Sequence, residues 1–316
     1  MLCIKMIGIK RPIFFFILFM VSLSIAHADD LIKTEHFEVF HKGVGKIYAE
    51  MAAKSAERSF AGIVETLGHT PQEKITIILT PDDEQFMLLT RGILPDWSVA
   101  AALRGNRIVI SPLPGHKISI DRILAHEIVH CVIDNTTGEF FVPRWFHEGC
   151  AEILSGRWGI RGRMYIVWKV WRGDLLTFGE IQSVFSIGST DATLAYDQSM
   201  LAIKHLMNKN GGKILSVIID GMKHGRDFQD AFIIATGVLP GEFEQDYQSY
   251  IRKAFGTRTL ITLIPGIWTL IMFLTVIVYF VKRYRNKRLI RTWEEMDNIG
   301  NIIDFPSDPQ NKQNKW

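Results

Sequence analysis

Cysteine is scarce. The 316 residues contain three, and Cys3 falls in an N-terminal segment that an exported protein sheds, which leaves Cys131 and Cys150 in the mature chain. At most one disulfide is available, and the two thiols have an equally simple reading as small buried apolar residues. Internal repeats and low-complexity tracts are also missing, which excludes a solenoid or an array. Positive charge is thin where a folded domain needs it for nucleic acid. The formal charge is +3 overall, but residues 1–28 carry +3 and residues 282–316 carry another +3, so residues 29–281 are left with −3. No basic face for nucleic acid is implied.

Two long apolar runs are present. Near the N-terminus Lys5, Lys10 and Arg11 precede an almost wholly apolar stretch from Ile13 to Ile25, and Ala26-His27-Ala28 has the small-x-small form of a cleavage site. Residues 1–28 are therefore expected to be a signal peptide, with an uncleaved anchor as the alternative; either one exports the chain from Asp29 onward. The second run, Thr259 to Val281, has no charged residue. As a helix it is roughly 34 Å long, enough to cross a hydrocarbon core. The basic block Lys282 to Arg288 comes directly after it and is expected to stay in the cytoplasm. The expected arrangement is a single-pass protein of the cytoplasmic membrane. Residues 29–256 are outside as the folded domain, 259–281 meet lipid as the transmembrane helix, and 282–316 form a cytoplasmic tail that is polar and disordered from Asn286 onward.

Between these runs the pattern changes once. Thr34–Phe40 alternates as a strand, Val44–Leu67 has helical spacing up to Gly68, Lys74–Leu79 is a β-branched strand, and Asp82 opens a helix. A short strand comes next at Arg107–Ile110. From Ile118 the spacing is helical almost throughout, with breaks at Gly138, Gly173, Gly188, Asn210-Gly211-Gly212, Gly225 and Pro240-Gly241. A small α/β part and then helices make an α+β layout.

The chemistry centres on His126-Glu127-Ile128-Val129-His130. Residues i and i+4 of a helix stand about 40° apart around its axis, so the two imidazoles can share one metal ion. Glu127 is offset by about 100° and can address a water on that ion. A third ligand is needed. A histidine six residues after His130 is absent, since that position is Thr136, and Ile133 stands where that class of enzymes has glycine. Downstream, Pro143 to Glu152 (PRWFHEGCAE) offers a second helical segment with Glu148 and Glu152 on one face.

HEIVH with Glu148 downstream in WFHEGCAE resembles the gluzincins, and within them the bacterial peptidase MA-like family, over roughly Phe37 to Phe255. The resemblance implies a zincin-like α+β domain in which His126, His130 and Glu148 hold one Zn²⁺ and Glu127 acts as general base on a zinc-activated water. Glu152 becomes a carboxylate that orients a ligating histidine, or else a solvated helix charge. His147 could replace Glu148 as a ligand only in a shifted register. Related enzymes draw a second donor to the developing oxyanion from the helical part; Tyr196 is the candidate, with core packing as its plainer role. Strand Arg107–Ile110 is expected to offer its edge to an extended substrate. A GxMEN stretch, which binds the free amine of aminopeptidase substrates, does not precede His126, so endopeptidase action on a protein or peptide is the default. A non-catalytic binding module and a zinc amidase acting on cell-wall peptides are the alternatives.

Overall fold

The computed structural model describes residues 30–92, 98–111, 119–156, 160–187 and 192–300. The expected signal peptide lies outside these. The chain divides into two compact units, residues 1–253 and 254–316.

The first unit opens with five strands: β1 (Leu31–Lys33), β2 (Phe37–Phe40), β3 (Ile75–Leu79), β4 (Ala100–Leu103) and β5 (Arg107–Ile110). They form one sheet in the order β1-β2-β3-β5-β4, with β2, β3 and β5 parallel and the two edge strands antiparallel to their neighbours. Alternation decides the faces. Phe37 and Val39, then Ile75, Ile77 and Leu79, then Ile108 and Ile110, are buried. Helix α1 (Lys46–Leu67) buries Ala49, Ala52, Ala53, Ala56, Phe60, Ile63 and Leu67. Its alanines suit close packing with β2 and with α3 (Ile120–Thr137). Gly68 ends α1 in the left-handed region at φ 76°, and a Cβ there would lie 2.7 Å from Cβ of Ser216. Glycine thus satisfies the turn and a close approach together. Helix α2 (Asp83–Leu89) begins as expected at Asp82, whose side chain accepts the Gln85 amide at 2.7 Å.

The rest of the unit is helical: α4 (Arg144–Leu154), α5 (Ile160–Arg172), α6 (Phe178–Ile187), α7 (Ala192–Asn210), α8 (Ile214–Lys223), α9 (Phe228–Thr236) and α10 (Pro240–Phe255). This is the α+β architecture of a small mixed sheet joined to a helical body. The aromatic centre of that body is Trp145, stacked on Phe178 with ring centroids 4.2 Å apart and met by Phe146, Phe228, Phe232 and Phe243. It locks α4 in place. Tyr247 donates its hydroxyl to the Gln198 carbonyl at 2.5 Å, and the Gln198 amide clamps both backbone groups of Leu176 at 2.9 Å.

Two sequence expectations change here, and one open pair of alternatives closes. Arg107–Ile110 is a strand, but β5 lies between β3 and β4, so its edges are both paired; the edge strands are β1 and β4, and β4, whose Ala-Ala-Ala-Leu carries no β-branched signal, is the one next to β5. Cys131 and Cys150 are both buried free thiols. Residues 286–300, expected to be disordered, continue the helix α11 (Thr257–Gly300) of the second unit. Their Lys, Arg, Leu, Glu and Met residues are good helix formers that propagate a helix already nucleated by the apolar run. Within α11, Gly266–Glu294 is long and apolar enough to cross a membrane and its residues are not buried by the chain: one candidate single span.

Candidate active site

Two helices in contact build the site. Helix α3 supplies His126, Glu127 and His130, and ends where Gly138, at φ 63°, turns the chain away. After a short loop, Pro143 precedes α4, and the Gln182 side chain accepts the Arg144 amide at 3.0 Å. Helix α4 then brings Arg144, His147, Glu148 and Glu152 to the face of α3.

The geometry of the cluster tests the ligand set. The two Nε2 atoms of His126 and His130 face each other at 3.1 Å, and Oε2 of Glu148 lies 3.5 Å from the first and 3.4 Å from the second. A tetrahedral ion with bonds of about 2.0–2.1 Å separates its ligand atoms by roughly 3.3 Å. All three spacings cluster at that value. Oε2 of Glu148 is buried with no hydrogen-bond donor of its own, an orphan that a cation would satisfy. Two nitrogens and a carboxylate oxygen are also the donor set zinc favours. The residues therefore fit the ion.

Around the cluster, each neighbour has a definite contact. The second oxygen of Glu148 accepts from the Arg144 guanidinium at 3.2 Å. Oε1 of Glu152 is 3.7 Å from Nδ1 of His126, on the side away from the cluster. Oε2 of Glu127 accepts the Ala102 amide at 2.7 Å, which ties the expected base to the open edge strand β4. His147 stays out of the cluster. Its Nε2 meets Oδ1 of Asp134 at 2.9 Å, and its ring stacks on that of His130 at 4.4 Å and 13°. The Tyr196 ring, on α7, is centred 6.3 Å from the ring of His126.

Burial sets the electrostatics. It opposes charge on His126, but the nearby carboxylates of Glu148, Glu127 and Glu152 prevail, and its pKa is pushed up to about 9. His130 goes the other way: burial pulls it down to about 4. Burial also raises Glu127, whereas the two histidines hold Glu148 well below the usual carboxylate range against the effect of burial. One imidazole and one carboxylate thus share a proton-and-charge balance that a divalent cation can replace.

Among known families, that of the peptidase MA superfamily matches residues 55–253. The chain belongs to the peptidase MA superfamily. This family is one of peptidases, usually metal-dependent, and its match spans α1 to α10, the elements that carry and surround the cluster. No curated protein matches the chain. In this member of the superfamily, the structure brings His126, His130 and Glu148 into one cluster, with Glu152 beside His126 and the Tyr196 ring on its flank. Sequence reasoning missed three residues. Arg144 was signalled by its i,i+4 spacing to Glu148. Asp134, one turn after His130, had no signal except its helix face. Gly149 was passed over as part of a motif: a Cβ there would lie 2.6 Å from Cγ1 of Ile203 and collide with the Ser199 carbonyl, so glycine is what lets α4 lie against α7.

Proposed function

We propose that this chain is a membrane-anchored zinc metallopeptidase, an endopeptidase acting outside the cytoplasm on a protein or peptide. Residues 29–256 form its catalytic domain, 259–281 its transmembrane helix, and 282–316 its cytoplasmic tail. The observation that carries the reading is the convergence of His126, His130 and Glu148 from two helices at spacings that match one tetrahedral ion, with Glu127 alongside.

His126, His130 and Glu148 would hold a zinc ion, which would supply Lewis acidity at this site. Glu127 would serve as the general base and acid, holding the proton that passes from the attacking water to the leaving amine. Its raised pKa suits a group that must hold a proton between the two transfers. The Ala102 amide fixes one carboxylate oxygen of Glu127, and Glu152 orients His126 through Nδ1. Tyr196 donates to the developing oxyanion. An extended substrate adds to the open edge of β4, beside Glu127, by backbone pairing.

The test is Glu127→Gln in the full chain, assayed on a protein substrate together with elemental analysis. Zinc is expected at one per chain in both proteins, with kcat lower by about 10²–10⁴-fold in the variant. Undiminished turnover in the variant would sink the mechanism. Zinc binding without hydrolysis by the parent chain would point to a binding module, and cleavage confined to cell-wall peptides to an amidase.

A further inference from the structure

Helix α5 is built unlike the rest of its unit. Ile166 and Val167 are buried, and they attach the helix to the domain. Met164, Trp168 and Trp171, spaced i, i+4, i+7 and so on one face, are instead 55%, 47% and 64% exposed. Among the described residues of the first unit, these are the only exposed tryptophans. The helix sequence holds Arg161, Arg163, Lys169 and Arg172 and no acid, a charge of +4. Residues 29–281 carry −3 in all, so without this helix they carry −7.

The cations accompany the aromatics. The Arg172 guanidinium lies 4.9 Å over the Trp168 ring and pairs with Asp174, just beyond the helix, at 2.9 Å. The Lys169 ammonium lies 5.7 Å over the Tyr165 ring. Exposed indoles cost little at a bilayer interface, where an apolar ring and a polar N–H each find their medium, and lysine and arginine beside them meet headgroup phosphates.

From this, we propose that α5 is an interfacial helix that docks on anionic phospholipid through Met164, Trp168 and Trp171, with Lys169 and Arg172 at headgroup level. Anionic lipid is the partner that fits, since its phosphates and its interface meet the cations Lys169 and Arg172 and the two exposed indoles together. A bilayer is also within covalent reach if α11 spans one, so docking is an intramolecular event at high effective concentration. The proposal is independent of the peptidase chemistry and takes only the anchor from the function proposed above. An acidic domain held at an anionic surface is otherwise repelled, so this helix gives the domain one attractive side.

The experiment uses the full chain with Cys3→Ser and Met164→Cys, labelled with an environment-sensitive fluorophore; Cys131 and Cys150 are buried. The reference site is Glu65→Cys, exposed on α1. Each is reconstituted in vesicles of phosphatidylcholine with phosphatidylglycerol and of phosphatidylcholine alone. Flotation with the vesicles checks the anchor separately. The expected result is a blue shift, and quenching by headgroup-labelled lipid, at position 164 but not at 65, in the anionic vesicles. Lys169→Gln with Arg172→Gln should weaken that docking by roughly thirtyfold. Quenching of the unlabelled chain by brominated lipid should fall in Trp168→Phe with Trp171→Phe. A floating chain that shows no shift at 164, the same shift in neutral vesicles, or a shift that tracks protein density would overturn the proposal; the last would make the occupant a second copy.

Discussion

Glu148 uses its two oxygens differently: one faces both imidazoles and the other is held by Arg144. Removing the guanidinium leaves the carboxylate buried but free to rotate. Arg144→Gln is expected to weaken zinc affinity by about 10–100-fold, measured by competition with a chelator, with secondary structure unchanged. His126 has a different consequence. With a pKa pushed up to about 9, it is protonated at pH 7 in the metal-free protein, and a ligand must be neutral. Zinc uptake at pH 7 should therefore release about one proton, read by calorimetry in buffers of different ionisation enthalpy, and the release should vanish as the pH rises past that value. Tyr196→Phe should lower kcat by about 10²-fold with little change in KM if its hydroxyl meets the oxyanion, whereas equal losses of stability and activity would leave it a packing residue.

At the scale of elements, the site exists because α4 can approach α7 and α3 together. Gly149→Ala forces a methyl into the Ser199 backbone, which cannot give way as a side-chain tip would. A loss of about 3 kcal/mol is expected, seen as a lower midpoint in denaturant, with zinc affinity falling alongside. The sheet is tied to α1 by Glu57, which accepts from the His36 amide at 2.9 Å and the His36 ring at 2.8 Å. Burial acts to raise the Glu57 pKa, but the hydrogen bonds from His36 and Thr34 outweigh it and the folded value is depressed. Its contribution is thus complete above the unfolded carboxylate range near about pH 4.3, and is lost as the pH falls through the depressed value. Glu57→Gln should remove that part of the acid sensitivity and lower stability at neutral pH by about 1 kcal/mol.

For the whole molecule, the chain separates into a folded unit and an apolar helix whose residues find no cover within the protein. The match to the peptidase MA superfamily ends at residue 253, where the first unit ends. A chain that stops after Phe255 should leave the membrane fraction yet keep its zinc and its cooperative unfolding, checked by fractionation and by thermal melts with and without chelator. Loss of the metal on truncation would make the anchor part of the site.

Much of this was legible in one dimension because it is local. The i,i+4 histidines, the apolar run of Thr259–Val281 and the strand at Arg107–Ile110 are periodicities of a single element, and the sequence by itself determined them. The same holds for the pairing of HEIVH with a downstream glutamate, which pointed to the family. Only the tertiary structure decided that β4 and not β5 lies at an edge of the sheet, because Ala100–Leu103 acquires its conformation from pairing with β5 and not from its own weak propensity. It alone decided that Cys131 and Cys150 stay apart as thiols, that His147 turns to Asp134 while Glu148 faces the two imidazoles, and that Gly149 is where two helices touch. Those outcomes depend on distances between residues far apart in the chain. Packing sets such distances, and no pattern along the chain encodes them.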